Sequence, residues 1–334
     1  MTRVVHDAPV WVRPEPIEPL FVTIPALVPG EGVGAGGDVG AGTGVGAGGD
    51  VGAGTVVGRA PFARRHRTAL IVTAAIVTVL VVGAGFFVYT WNHSGPHELA
   101  GITAYQRFRS GATGLVADPG KLRPHEGVYS YTGSGNERVS LPPKSQVEGP
   151  RIPGTVSYRP DGCWVLRLDY SDSHWQNSTY CPRDGNLVEV ARAGWYRWNF
   201  IALVIADTAT FTCTPPEMAI PSRLVVGQRF AFACTGKNDP IDTGVVTMTG
   251  TNRYVGPETL RIGGRAVPTL HFREVATFGG GQTGTNVADT WFSTIDGLPV
   301  RGTWRTVVTS PTLVGASTLT GSGSFDLASL TPRT

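Results

Sequence analysis

Lysine is almost missing from this chain. Lys121, Lys144 and Lys237 are the only lysines, so arginine carries nearly all of the positive charge. Charged residues make up 16% of the 334 positions and leave a net charge of +3. A protein that tracks phosphates needs a basic stripe, interleaved with aromatic rings where bases stack. No such stripe is present, and nucleic acid is excluded as a partner. Signatures of common catalytic sites are missing as well. There is no Gly-x-Ser-x-Gly, no His-Glu-x-x-His, no phosphate-binding loop and no EF-hand loop. Cysteine is scarce: Cys163, Cys181, Cys213 and Cys234 are all of it. Their wide spacing lacks the close Cys/His pairs of a zinc site, so no metal or other cofactor is assigned.

Charge is absent from one long run, Thr68 to Trp91. About 20 apolar residues cross a ~30 Å hydrocarbon core as a helix, and this run is long enough. Tyr89 and Trp91 end it, where aromatic rings favour the lipid–water interface. Arg59, Arg64, Arg65 and Arg67 precede it. Positive flanks stay in the cytoplasm, which predicts an inner N-terminus, a bilayer-spanning helix at 68–91 and an exported remainder. The run starts too far along the chain, and is too long, for a cleaved signal peptide.

The first 67 residues hold no helical or strand pattern. Pro9, Pro14, Pro16, Pro19, Pro25 and Pro29 oppose a helix. A glycine-rich unit of the type Val33-Gly-Ala-Gly-Gly-Asp then recurs from Val45. So little apolar surface cannot offset the entropy of ordering the backbone, and residues 1–67 read as a disordered cytoplasmic tail. Gly32-x-Gly34-x-x-Gly37 matches a dinucleotide fingerprint, but neither the strand nor the helix that gives it meaning flanks it.

After the span, residues 92–124 read as a juxtamembrane helix and linker. Leu99, Ile102, Tyr105 and Phe108 have helical spacing, and Gly111 is a plausible stop. Residues 125–330 read as strand after strand, roughly ten of them, punctuated by turns such as Arg159-Pro-Asp-Gly162 and Asp184-Gly185. Trp164, Leu166, Leu168 and Tyr170 alternate, as do Leu270, Phe272, Ala276 and Phe278, with Glu274 interrupting. Period-two alternation is the mark of antiparallel sheet with one face buried. The expected fold is mainly β: a curved antiparallel sheet or half-barrel, in one piece or two similar halves.

The cysteines fall in the exported part, where disulfides persist. Cys163–Cys181 and Cys213–Cys234 is the preferred pairing, because each pair brackets one predicted hairpin. Asp172-Ser173-His174 holds the residue types of a catalytic triad, but strand neighbours point to opposite faces, so it reads as a turn. Trp164, Trp175, Trp195, Trp198, Trp291 and Trp304 are candidates to line an apolar cavity inside the curved sheet, with packing on the sheet as the alternative.

The stretch Glu258–Phe272, a strand, a glycine turn and a return strand, is followed by a second hairpin, Trp291 to Arg301, containing Gly297-Leu-Pro-Val-Arg. This order resembles bacterial envelope proteins with a half-open, strongly curved β-sheet, the lipoprotein-carrier type. The resemblance spans about 258–301. It implies a cavity for acyl chains or another hydrophobic ligand and brings no catalytic residues. The chain departs from that type in its spanning segment, its cysteine pairs and its added strands from 125 to 212.

The sequence therefore leads to a non-enzymatic membrane-anchored envelope protein. Its partners are the bilayer, through 68–91, and an apolar or glycan envelope component bound by the outer domain. A module that docks on another envelope protein, and an extracytoplasmic sensor, stand as alternatives.

Overall fold

A computed structural model describes residues 77–83, 95–111, 122–200, 203–241, 243–312 and 315–334. The tail at 1–67, with Arg59, Arg64, Arg65 and Arg67, lies outside the described residues, as does most of the expected span at 68–91. Residues 77–83 are helical and exposed. No helix among the described residues is long and apolar enough to cross a membrane.

Helix α1 spans Gly101–Gly111. Ile102, one of the helically spaced apolar residues, faces solvent, and Ala104 is the buried position. Polar contacts fasten the helix instead. Arg107 Nη1 donates to Asp169 Oδ1 at 3.0 Å, and the Tyr105 hydroxyl donates to the Thr334 carbonyl at 3.0 Å.

The strands are β1 (Gly127–Ser140), β2 (Pro143–Glu148), β3 (Arg151–Tyr158), β4 (Trp164–Asp169), β5 (His174–Arg183), β6 (Asn186–Phe200) and β7 (Leu203–Ile220), then β8 (Arg229–Asp239), β9 (Val246–Ile262), β10 (Arg265–Gly280), β11 (Thr283–Ser293), β12 (Pro299–Thr312) and β13 (Gly315–Leu327). Consecutive strands pair antiparallel from β3 to β13, and β13 returns to β1. That last ladder runs from Tyr131 opposite Leu327 to Val139 opposite Leu319. The half-open sheet expected from sequence is thus a closed antiparallel barrel of 12 strands, and the two expected halves are one continuous sheet. Closure pairs the two ends of the sheet and leaves one edge of β2 open.

β2 and β3 share one edge of β1: β3 pairs with Gly127–Thr132 and β2 with Gly135–Ser140. They are one barrel strand broken at Gly149–Pro150, where proline cannot donate to a ladder. β2 pairs with no strand on its other side. Tight hairpins set the register elsewhere. Asp184-Gly185 and Gly263-Gly264 have positive φ at both residues, the backbone that matches the strand twist.

Inward positions hold the core. Trp164, Leu166, Leu168 and Tyr170 are all buried, as the alternation requires. The outward positions of β1 are polar: Ser130, Thr132, Ser134, Asn136, Arg138 and Ser140. Both cysteine pairs form the expected disulfides, Cys163–Cys181 and Cys213–Cys234. The first joins the residue just before β4 to β5, and the second joins residues directly opposite in the β7–β8 ladder.

Candidate functional site

Eight strands make a barrel just wide enough for its own side chains. Twelve make a wider one, which its side chains fill most fully at one end, with a smaller apolar cluster around Phe211, Phe232 and Met248 toward the other. A single apolar cluster, including Tyr129, Tyr131, Trp164, Leu260, Leu298 and Leu327, packs the end where β1 begins. Beyond it lies a cavity of about 290 Å³. Its wall is largely apolar, with Leu168, Phe211, Met248, Phe272 and Phe278 among the lining residues.

A charged cluster is built into that wall. Arg192 of β6 meets three carboxylates. Its Nε donates to Glu189 Oε1 at 3.0 Å, and its Nη1 lies 3.2 Å from Glu274 Oε2. Its Nη2 donates to Glu217. Asn286 donates from Nδ2 to Glu274 Oε1 at 2.8 Å. Residues three apart on a regular strand face opposite sides. Here the β6 ladders skip a residue between Glu189 and Ala191, and that bulge turns both Glu189 and Arg192 inward.

Burial sets the charge of this cluster. It raises Glu217 well above the usual carboxylate range, with Glu274 beside it adding to the effect and Arg192 opposing it. Burial also raises Glu189, again against Arg192. Burial disfavours the guanidinium charge, but Glu189, Glu274 and Glu217 together push the Arg192 pKa well above its ordinary value. One guanidinium shared among three carboxylates leaves an excess of hydrogen-bond acceptors. Two lining amides add to it. Asn252 gives Nδ2 to the Met218 carbonyl at 2.9 Å, and Asn238 gives Nδ2 to Asp207 Oδ2 at 2.6 Å. The Oδ1 atoms of both are buried without a partner.

A second polar cluster stands beside the cavity. Glu137, Glu148 and His174 are buried to within 3%. His174 Nδ1 is 2.6 Å from Glu148 Oε1 and 3.2 Å from Glu137 Oε1, and Gln146 Nε2 donates to Glu137 Oε2 at 2.7 Å. The imidazole is stacked on Tyr170 at 4.8 Å and on Tyr196 at 4.2 Å between centroids. Tyr170, Tyr196 and Trp304 line the cavity. His174 is therefore the inward-facing first residue of β5, not part of a turn.

Of the six tryptophans, only Trp304 lines the cavity. Its ring lies over β13, where a Cβ at Gly321 would come within 2.7 Å of Cζ3 and one at Gly323 within 2.9 Å of Cε2. Trp164 is core, with Nε1 donating to the Leu122 carbonyl. Trp198 is also buried. Trp175 and Trp195 face each other across β5 and β6 on the outward face, with Arg167 over the Trp175 ring at 4.3 Å. Trp291 stacks outward on His271 at 4.0 Å. The acidic residues Asp169 and Asp172 bind protein groups: Asp169 takes Arg107 and Arg167, and Asp172 takes the His97 amide. Sequence reasoning missed the Arg192 cluster, although Glu274 signalled it by interrupting an apolar face.

No protein-family model matches the chain, and no curated protein matches it. It is similar at low TM-score to bacterial lipoproteins of known structure. One is the hypothetical lipoprotein YmcC from Escherichia coli, with 14% identity over 61% of this chain and 85% of that one, at a TM-score of 0.30. Another, described as a candidate lipoprotein, is from Parabacteroides distasonis, with 8% identity over 64% of this chain and 99% of that one, at a TM-score of 0.28.

Proposed function

We propose that the barrel is a non-enzymatic binding module of the cell envelope, anchored through residues 68–91, whose cavity holds one small molecule with an apolar body and hydrogen-bond-donating groups. The observation that carries this reading is the hollow end of the barrel. Apolar walls take the body of the ligand. The acceptors around Arg192, with Asn238 and Asn252, take hydroxyl or amino groups. Pockets for small molecules run to roughly 300–1,000 Å³, and about 290 Å³ is at the small end of that range. A single short chain or a sugar-sized polar lipid fragment fits; a lipid with several acyl chains does not. The paired cysteines favour an oxidising compartment, in keeping with export.

The test is gentle purification of the full chain with both disulfides intact, followed by organic extraction and mass spectrometry. A stoichiometric small molecule that is lost in Ala209→Trp, which fills the cavity, is the expected result. An empty extract, with no binding of amphiphilic probes in titration, would overturn the reading in favour of a protein-docking module.

A further inference from the structure

We propose that Glu137, Glu148 and His174 form a site for one divalent transition-metal cation, Zn²⁺ being the best fit, inside the barrel wall. The donor atoms of the three residues lie within 4.8 Å of one another, the one such group among the described residues. Metal–nitrogen and metal–oxygen bonds of about 2.0–2.2 Å place donors roughly 3–4 Å apart. The 3.2 Å from His174 Nδ1 to Glu137 Oε1 already has that spacing, and the 2.6 Å to Glu148 Oε1 needs only a small opening.

An unsatisfied atom points the same way. Glu137 Oε1, one of the three donor atoms that face one another here, is buried and makes no hydrogen bond. Such atoms are rare in folded proteins and costly to leave unpaired. Two buried carboxylates are a heavy burden for a protein interior. A dication balances both at once. Imidazole with carboxylate oxygens suits zinc and its neighbours better than calcium or magnesium. Gln146, bonded to Glu137, is the outer support that ligating carboxylates commonly have. Space is provided for it too: Gly135 lies opposite Glu148, and a Cβ there would meet Glu148 Oε2 at 2.6 Å.

The site also has a place in the architecture. β2 pairs only with β1, so the barrel wall is thin along its free side. Ligands from β1, β2 and β5 tie that side to β5 through the ion. This inference does not depend on a ligand in the cavity.

The full chain is purified with intact disulfides, stripped with chelator and titrated with Zn²⁺. One equivalent should bind and raise the melting temperature by several degrees. X-ray absorption should show nitrogen and oxygen donors only, with a single imidazole. Glu148→Gln and His174→Gln should each lower zinc affinity at least tenfold, since loss of even an outer support of a ligand costs about that much. His271→Gln should leave binding unchanged, although His271 contacts Glu258 and Asp289 on the outer face. Failure of the folded wild type to bind zinc would overturn the proposal. So would binding that survives in folded Glu148→Gln, or sulfur donors in the absorption spectrum.

Discussion

The two ends of the barrel use the same strands differently. At the filled end, Tyr129, Tyr131, Trp164 and Leu298 interlock with almost no exposure, and their polar tips are satisfied: the Tyr131 hydroxyl donates to the Pro299 carbonyl at 2.9 Å and Trp164 to Leu122. At the hollow end the inward positions include Glu189, Arg192, Glu217 and Glu274, and several buried polar atoms have no partner. Close packing stabilises the first region. The second gives up packing for an enclosed polar-lined space, a division of labour seen where a fold both supports and presents a site.

Substitutions can break that contrast. The largest effect is expected at the filled end. Trp164→Ala should cost about 3–5 kcal/mol, read by denaturant unfolding, whereas Trp304→Ala, beside empty space, should cost less than half as much and act mainly on ligand binding. Equal losses at both positions would mean that the hollow end is packed in solution.

Arg192→Met comes next. It strands three buried carboxylates and should cost about 3–5 kcal/mol near neutral pH. The loss should shrink in acid, because protonated carboxylates need no cation. An unfolding series from pH 5 to pH 8 checks both statements.

A smaller effect concerns pH in the intact protein. Glu189 and Glu217 have folded pKa values above their ordinary 4.5. The folded state therefore binds more protons than the unfolded one above that value. Their contribution to stability is complete below about pH 4.5 and is lost as pH rises through the folded values. Glu217→Gln should flatten this part of the wild-type profile; an unchanged slope would place the titration elsewhere.

The smallest effect belongs to the outer face. Trp175→Ala removes a stack on Trp195 and a contact with Arg167, worth about 0.5–1.5 kcal/mol. Thermal melting should move only slightly, and cavity ligands should bind as before.

The strands were legible because alternation is a local property. Trp164–Tyr170 and Leu270–Phe278 announce their buried faces residue by residue, and Gly263-Gly264 announces its hairpin. The disulfides followed from hairpin position. Closure was not legible: whether β13 meets β1 depends on the summed twist and stagger of 12 strands, which no short window records. The tryptophans misled for a related reason. Composition says that rings are present, but parity along each strand sends Trp175, Trp195 and Trp291 outward and leaves Trp304 at the cavity.

The sequence by itself determined the strand-rich region, its turns and its cysteine pairs, since each rests on neighbours within about 20 residues. Tertiary structure alone decided the cavity and both charged clusters. Glu137, Glu148 and His174 come from three strands, and Glu189, Arg192, Glu217 and Glu274 also come from three, with the register broken between Glu189 and Ala191. Only closing the barrel brings such distant positions face to face, and only burial there gives their charges the weight that makes them candidates for binding.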